Sequence, residues 1–502
     1  MSFILELLIS LFKNGMRSLP VPLNLGGFRP CAYLFGVLSF AGSMLAQDLP
    51  NRPDRPWFTD AETKVSRQAE QSKHEELGLT QDKKYTLSEL VDLAEAHSPE
   101  TREAWQAARQ RMAALHIAQS ALYPALDVGF TALTNRNGVL LYNTFVIQQL
   151  GIGEVAAKMN YTLFDANGRI DQVKEQRSLL RAASFSFNDA HRQLLFRVMH
   201  AYYLLLDSKG QRVAAESNLT SAQAVSDATQ ARFDNGLATL PDLSEAKSTA
   251  AQANYELQLR IGNERKATGY LATLVTAPAD TSFDVQSIDE LTIPTTLSAE
   301  GHELIEVALK ERPDLLRQFS AIDAAKSGVR EARSRYFPTV NFSGSLGELR
   351  AWGLQTAQPG AYATGRVYDA ELTLNWNVFD GNRRRSQVRE AEAAQKREEE
   401  TLRGLRDRIE SEVWQAFVDA DTAFRQREAA TALLRASQDS YDQSLESYKY
   451  GVRNIVDVLA AQRQLAAARF EDVSARVAVL DRLAQVSYRT GELLRTREVP
   501  KP

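Results

Sequence analysis

The chain has almost no cysteine: one residue in 502, Cys31, set inside an N-terminal apolar stretch. Everything downstream of it is therefore without disulfides or cysteine-based metal sites. Histidine is scarce as well. Its six copies (His74, His97, His116, His191, His200 and His302) are scattered with no ligand spacing. No metal and no cofactor is expected. A formal net charge of -4 provides no basic face of the kind that nucleic acid requires. There is no P-loop and no G-x-G-x-x-G. Acids are plentiful, but none stands beside a nucleophile or a Gly-rich loop, so an enzyme has no supporting constellation. After residue 50 no run of twenty apolar residues occurs, which excludes a membrane-spanning helix from the body of the chain. Two classes remain: a soluble protein, or a β-barrel whose spanning strands are only weakly hydrophobic.

What is present is long helix. Ala, Gln, Glu, Arg and Leu dominate extended stretches, a composition typical of helix-on-helix packing. Proline is missing from residues 168–233 and 382–450. Each stretch could run as one helix of about 100 Å at the α-helical rise. Ordinary helices have about three turns, so these two belong in a coiled coil or tube. Ile409, Val413, Ala416, Ala420 and Ala423 recur at three- and four-residue steps. The many alanines suit closely packed neighbouring helices.

Residues 1–46 read as an export signal. Lys13, Arg17 and Arg29 precede an apolar core from Cys31 to Leu45, and small residues follow near Ala46. An uncleaved anchor is the alternative, and Met16 could be the true start. The residues before Cys31 (Phe28-Arg29-Pro30) do not form a lipobox, which argues against lipidation. Residues 47–84, polar from Asn51 to Gln81, are expected to be an extended segment.

The remainder is two copies of one design. Leu90-Val91-Asp92-Leu93-Ala94 resembles Leu304-Ile305-Glu306-Val307-Ala308, and Ser98-Pro99-Glu100 matches Arg312-Pro313-Asp314, both at a spacing of 214. Asn160 to Asp165 aligns with Asn375 to Asp380, Gly236 with Gly451, and Asp242 with Asp457, all at 215. So constant an offset indicates tandem duplication. The expected division is a first repeat over 85–275, a linker over 276–300, a second repeat over 301–495 and a tail over 496–502.

Each repeat reads helix, strand, loop, strand, long helix, break, helix. The first helices are expected from Ser88 to Tyr123 and from His302 to Phe337, stopped by Pro124 and Pro338. Alternation follows: Leu126, Val128, Phe130; Met159, Tyr161, Leu163; Val340, Phe342, Gly344, Leu346; Leu372, Leu374, Trp376, Val378. Period-two alternation of this length fits strands with one face in lipid and one in water. The Gly- and Asn-rich stretches from Asn135 to Glu154 and from Glu348 to Val367 are expected as long loops. Arg383-Arg384-Arg385, after the last strand, reads as a solvated cap, with a phospholipid headgroup contact as the functional alternative. The breaks at Gly236 and Gly451 carry a helix C-cap signal, and an acid then begins the next helix. Each is a tight helical hairpin.

These features together resemble the TolC-like outer-membrane efflux protein family, the outer-membrane factors, over about residues 85–495. The most specific matches are the two Phe-Asp strand exits, the two Gly-to-Asp hairpins and the repeat spacing. The resemblance implies a mostly α-helical protein with a transmembrane β-barrel. In it, a homotrimer contributes four strands per subunit to twelve and continues as a coiled-coil tunnel into the periplasm. It implies an exit duct in the outer membrane, working with a periplasmic adaptor and an inner-membrane pump, in contact with outer-membrane lipid and not with nucleic acid. It also implies a gate at the hairpin from Gly451 to Leu459. There Asp457 would form an acidic ring, Arg453 would link to the neighbouring hairpin and Tyr448 would reach Asp242. Ala460 stands where some members carry a second acid, and Pro241 removes a side-chain hydroxyl before Asp242. A soluble periplasmic coiled-coil scaffold without transport activity is the competing function.

Overall fold

The structure, a computed structural model, describes residues 83–141, 143–297, 300–353 and 362–494. The expected export signal, nearly all of the extended segment and the C-terminal tail lie outside the described residues.

The first repeat opens with β1 (Lys84–Tyr85), α1 (Leu87–His97) and α2 (Pro99–Ser120). The single helix expected from Ser88 to Tyr123 is thus two helices. Proline disfavours the helical conformation of the residue before it, and Ser98 accordingly takes ψ 124° while capping α2 through its hydroxyl. The same break recurs in the second repeat at Arg312, ψ 126°, between α5 (Gly301–Glu311) and α6 (Pro313–Ser334).

Four strands form one antiparallel sheet in the order β2 (Ala125–Leu141), β3 (Thr144–Phe164), β5 (Thr339–Gly353), β6 (Tyr362–Asn375). The remaining strand, β4 (Asp284–Val285), pairs with β1 in parallel, tying the linker to the start of the first repeat. Cross-strand register sorts the side chains of the sheet. Leu126, Val128 and Phe130 pair with Met159, Ala157 and Val155. Met159 and Ala157 pair with Gly344 and Leu346, which pair in turn with Ala370 and Tyr368. Directly paired residues share a face, so this face is apolar. It ends where Glu348 pairs with Arg366. On β6 the apolar stretch from Tyr368 to Leu374 is about 24 Å long at the strand rise. The other face carries the rows Asp127–Lys158–Ser345–Asp369 and Thr162–Asn341–Thr373. Its polar groups bond across strands: Thr162 Oγ1 donates to Asn341 Oδ1 at 2.9 Å, and the Ser345 hydroxyl donates to Asp369.

The expected long loops are largely strand. Pairing of β2 with β3 continues to Leu141 and Thr144, and Glu348–Gly353 lies within β5. Residues 354–361 lie outside the described residues. Glycine and asparagine weaken the alternation above Glu348, but the backbone ladder does not depend on side chains and runs on. Trp352 pairs with Gly151 and lays its ring where a Cβ at Gly151 would stand, 2.4 Å away. At the other end β6 stops at Asn375, so Trp376 and Val378 fall outside the strand.

Beyond the sheet come α3 (Gly168–Asp234) and α7 (Arg383–Lys449), 67 residues each, or about 100 Å. Each folds back through a short turn into α4 (Leu240–Leu274) or α8 (Ile455–Thr490). The stripe of Ile409, Val413, Ala416, Ala420 and Ala423 is buried along α7, as its spacing requires. One core packs Leu90, Ala94, Val198, Tyr202, Leu206, Leu271 and Val285 where the linker wraps the first repeat. Another packs Leu304, Leu315, Ile409 and Val413 in the second repeat.

Candidate functional site

The hairpin tips are built from local capping. Gly236 and Gly451 adopt φ +72° and +75°, a left-handed conformation that only glycine takes without strain. The N–H of Gly451 donates to Tyr448 O at 3.0 Å and that of Val452 to Ser447 O at 2.9 Å. This pair of bonds closes the last carbonyls of α7. Gly236 and Leu237 repeat the pattern onto Phe233 and Arg232.

The next helices start differently. Thr239 caps α4, and Asp242 returns the bond: its Oδ2 accepts from Thr239 N at 3.0 Å and from Thr239 Oγ1 at 2.7 Å. The Thr239 backbone N–H and hydroxyl hold the Asp242 carboxyl below the usual carboxylate range. In the second repeat Asn454 occupies the cap position, and its Oδ1 accepts from Asp457 N at 3.0 Å. The Asp457 carboxylate has no such return bond and stands exposed. The two aligned acids therefore differ in setting: the Asp242 carboxylate is tied to its own helix start, and the Asp457 carboxylate stands exposed.

Among the described residues of the single chain, Tyr448 makes no hydrogen bond to Asp242. The Tyr448 ring is buried, and its hydroxyl has no hydrogen-bond partner among the described residues. Arg232 supplies the tie instead. Its guanidinium lies 4.6 Å from the Tyr448 ring centroid, and its Nη1 donates to Tyr448 O at 3.1 Å. Within the chain Asp242 turns its Oδ2 to Thr239 at its own helix start, and the cation at the end of α3 finds both an aromatic face and the carbonyls at the end of α7. Arg453 donates to Ser444 Oγ at 3.1 Å, inside its own hairpin. Leu459 is 1% exposed and packs with Val225, Tyr441, Ile455, Val458 and Leu465, so it cannot line a passage. Higher up, Arg469 bridges the two hairpins through Asn218 Oδ1 at 2.9 Å and Gln438 Oε1 at 3.3 Å.

The junction between sheet and helix is a second organised feature. Asp165 Oδ2 accepts from Arg169 N at 2.8 Å and Arg169 Nε at 3.0 Å. Asp380 Oδ2 does the same with Arg384 N and Nε, at 3.2 and 2.9 Å. Asn167 and Asn382, at φ 68° and 69°, turn the chain between them. Arg384 is thus a buried pin, not part of a solvated cap. The pattern Asp-x-Asn-x-Arg, present at both Asp165 and Asp380, was the sequence signal for it. Among the described residues no group of three His, Cys, Asp or Glu side chains is placed to hold a metal ion.

A profile of the outer membrane efflux protein family matches residues 90–275 and 304–492. The chain belongs to that family. It is 24% identical to protein CyaE of Bordetella pertussis, over 82% of this chain and 85% of that one. It is 25% identical to outer membrane protein OprJ of Pseudomonas aeruginosa, over 75% of this chain and 78% of that one. Among solved structures, the outer membrane protein VceC of Vibrio cholerae superposes with a TM-score of 0.69 at 20% identity, covering 81% of this chain and 96% of that one. The family is one of channel proteins. This chain is accordingly an outer-membrane channel subunit extending into the periplasm, an exit duct of the efflux or type I secretion kind.

Proposed function

We propose that three copies of the chain close a twelve-stranded barrel, four strands from each, above a common helical tunnel. One observation carries this reading: among the described residues the sheet has an exposed face that is apolar up to the Glu348–Arg366 pair, and two unpaired edges, β2 and β6. A sheet edge open to lipid leaves backbone groups with nothing to bond, so the sheet must close with copies of itself. A soluble scaffold would have no use for such a face. Three is the number that the family resemblance implies. On the helices, Trp414, Val418, Tyr255 and Leu259 are exposed in one chain, and neighbouring subunits would cover them.

In this assembly the α7–α8 tips converge on the tunnel mouth. Asp457 supplies an acidic ring, Arg453 turns from Ser444 toward the neighbouring hairpin, and the tips meet a periplasmic adaptor that couples the duct to an inner-membrane pump. The repeat boundaries at 85–275 and 301–495 mark the two hairpin units that each subunit contributes. Cysteine pairs on the outer edges of β2 and β6, such as Val128→Cys with Leu372→Cys and its register neighbours, test the closure. Oxidation should give a ladder that stops at three chains. A ladder continuing past three, or a monomeric native mass in detergent, would overturn the trimer.

A further inference from the structure

The segment that leaves β6 exposes more apolar surface than its counterpart in the first repeat, where Leu163 and Phe164 are about half exposed. Trp376, Val378 and Phe379 are 59%, 75% and 80% exposed, although all three are large and apolar. Trp376 continues the parity of Leu372 and Leu374, and its indole N–H donates to Tyr336 O at 3.2 Å, which fixes the ring at the end of the apolar face. Phe337, next in sequence to Tyr336, is exposed too.

Directly after this apolar group comes charge of one sign. Between Trp376 and Arg389 one aspartate faces four arginines. The aspartate, Asp380, is already neutralised by the buried Arg384. Arg383 is 68% exposed, and its Nε lies 3.8 Å from the same carboxylate, beyond hydrogen-bond reach. Arg385 is exposed, with no hydrogen bond or ion pair among the described residues. Duplication supplies an internal control. In the first repeat the pin residue Arg169 is flanked by Gly168 and Ile170, the counterparts of Arg383 and Arg385 at the same offset of 215. The first elbow therefore folds with a single arginine, and of the two additional cations in the second Arg383 makes only a long ion pair with Asp380 and Arg385 none among the described residues.

We propose that Arg383 and Arg385, with Trp376, Val378 and Phe379, form a site for an anionic glycerophospholipid of the periplasmic leaflet. The site rests on the barrel reading, because it needs the apolar face of the sheet to lie in lipid. Guanidinium groups suit a phosphodiester, which they grip with paired N–H donors. An aromatic residue at the end of an apolar band sits at headgroup depth, with its ring against the acyl chains. The elbow leads into the periplasmic helices, so the leaflet it meets is the periplasmic one. The lipid would brace the turn where the tunnel leaves the sheet.

The test uses the full-length channel with phosphatidylglycerol and phosphatidylcholine at equal concentration, and counts bound lipids by native mass spectrometry. The parent should retain phosphatidylglycerol in preference by about tenfold or more, since a cation near an anionic surface contributes roughly fivefold. Arg383→Gln/Arg385→Gln should bring the two lipids close to parity while conductance and helical circular dichroism stay unchanged. Parity in the parent, or an undiminished preference in the double variant, would overturn the site. A second readout uses vesicles containing brominated phosphatidylglycerol. Trp376→Phe should remove a clearly quenched share of the tryptophan emission. Loss of only unquenched emission would mean that a neighbouring subunit covers the elbow, and the site fails. A chain with no quenched tryptophan and no conductance has not inserted, and that result would sink the barrel reading together with the site.

Discussion

The guanidinium of Arg232, at the end of α3, lies 4.6 Å from the ring centroid of Tyr448, at the end of α7, and bonds to the Tyr448 carbonyl. One residue thus joins the two helical hairpins of a subunit at the level of the proposed gate. The two groups are 216 residues apart in the chain. The Tyr448 hydroxyl, by contrast, bonds to nothing among the described residues.

The first prediction separates these two groups. Arg232→Gln removes a cation–π contact and a charge-assisted hydrogen bond, together worth about 2 kcal/mol. If that energy favours the closed tips, the closed-to-open ratio should fall by roughly tenfold or more. Single-channel conductance in planar bilayers should rise accordingly. Tyr448→Phe removes only an unbonded hydroxyl and should leave conductance as it was. If Tyr448→Phe opens the channel as far as Arg232→Gln does, the hydroxyl has an essential partner and the tie assigned to Arg232 is wrong.

The tips also predict which acid meets cations. Asp457→Ala should weaken block by divalent or trivalent cations applied from the periplasmic side by about an order of magnitude, because like charges in a ring bind multivalent ions. Asp242→Ala should leave block unchanged and instead cost about 1 kcal/mol of stability, the usual cost of a lost helix cap. The comparison is made side by side in bilayers and in thermal melts. Equal loss of block in both variants would mean that the Thr239 cap does not withdraw Asp242 from the passage.

What was legible in the sequence was whatever repeats or acts locally. Gly236 and Gly451 declare their turns because a left-handed residue at a helix end is a local requirement. Leu126, Val128 and Phe130 declare a face because strand period is fixed at two. Strand ends were less legible: the pairing of Asn135 with Leu150 needs only backbone, and no side-chain pattern reports it. The Arg232–Tyr448 tie was hidden by distance along the chain. The tie expected between Tyr448 and Asp242 is not made within the chain, where Asp242 Oδ2 turns to Thr239, three residues before it. Arg383, Arg384 and Arg385 look alike in sequence. The Asp-x-Asn-x-Arg spacing shared with Asp165, in which the left-handed turn at Asn382 returns Arg384 to Asp380, distinguishes the buried one.

The last prediction concerns pH. His200 Nδ1 on α3 lies 2.6 Å from Asp481 Oδ1 on α8, and its ring stacks near Phe196. The hydrogen bond to Asp481 raises the His200 pKa above its ordinary value; partial burial and the nearby Arg482 oppose the shift without cancelling it. A histidine raised on folding stabilises the fold fully below its unfolded pKa of about 6.5, and that contribution is lost as pH rises through the folded value. His200 is half exposed, so solvent screening keeps the contribution below about 1 kcal/mol. His200→Gln should therefore lower the thermal midpoint slightly at pH 5.5 and hardly at all at pH 9, where the parent too has lost the charge. Circular dichroism melts of both proteins across this range provide the comparison. A deficit that is constant from pH 5.5 to 9 would assign the loss to packing against Phe196, and one that grows with pH would reverse the sign of the linkage.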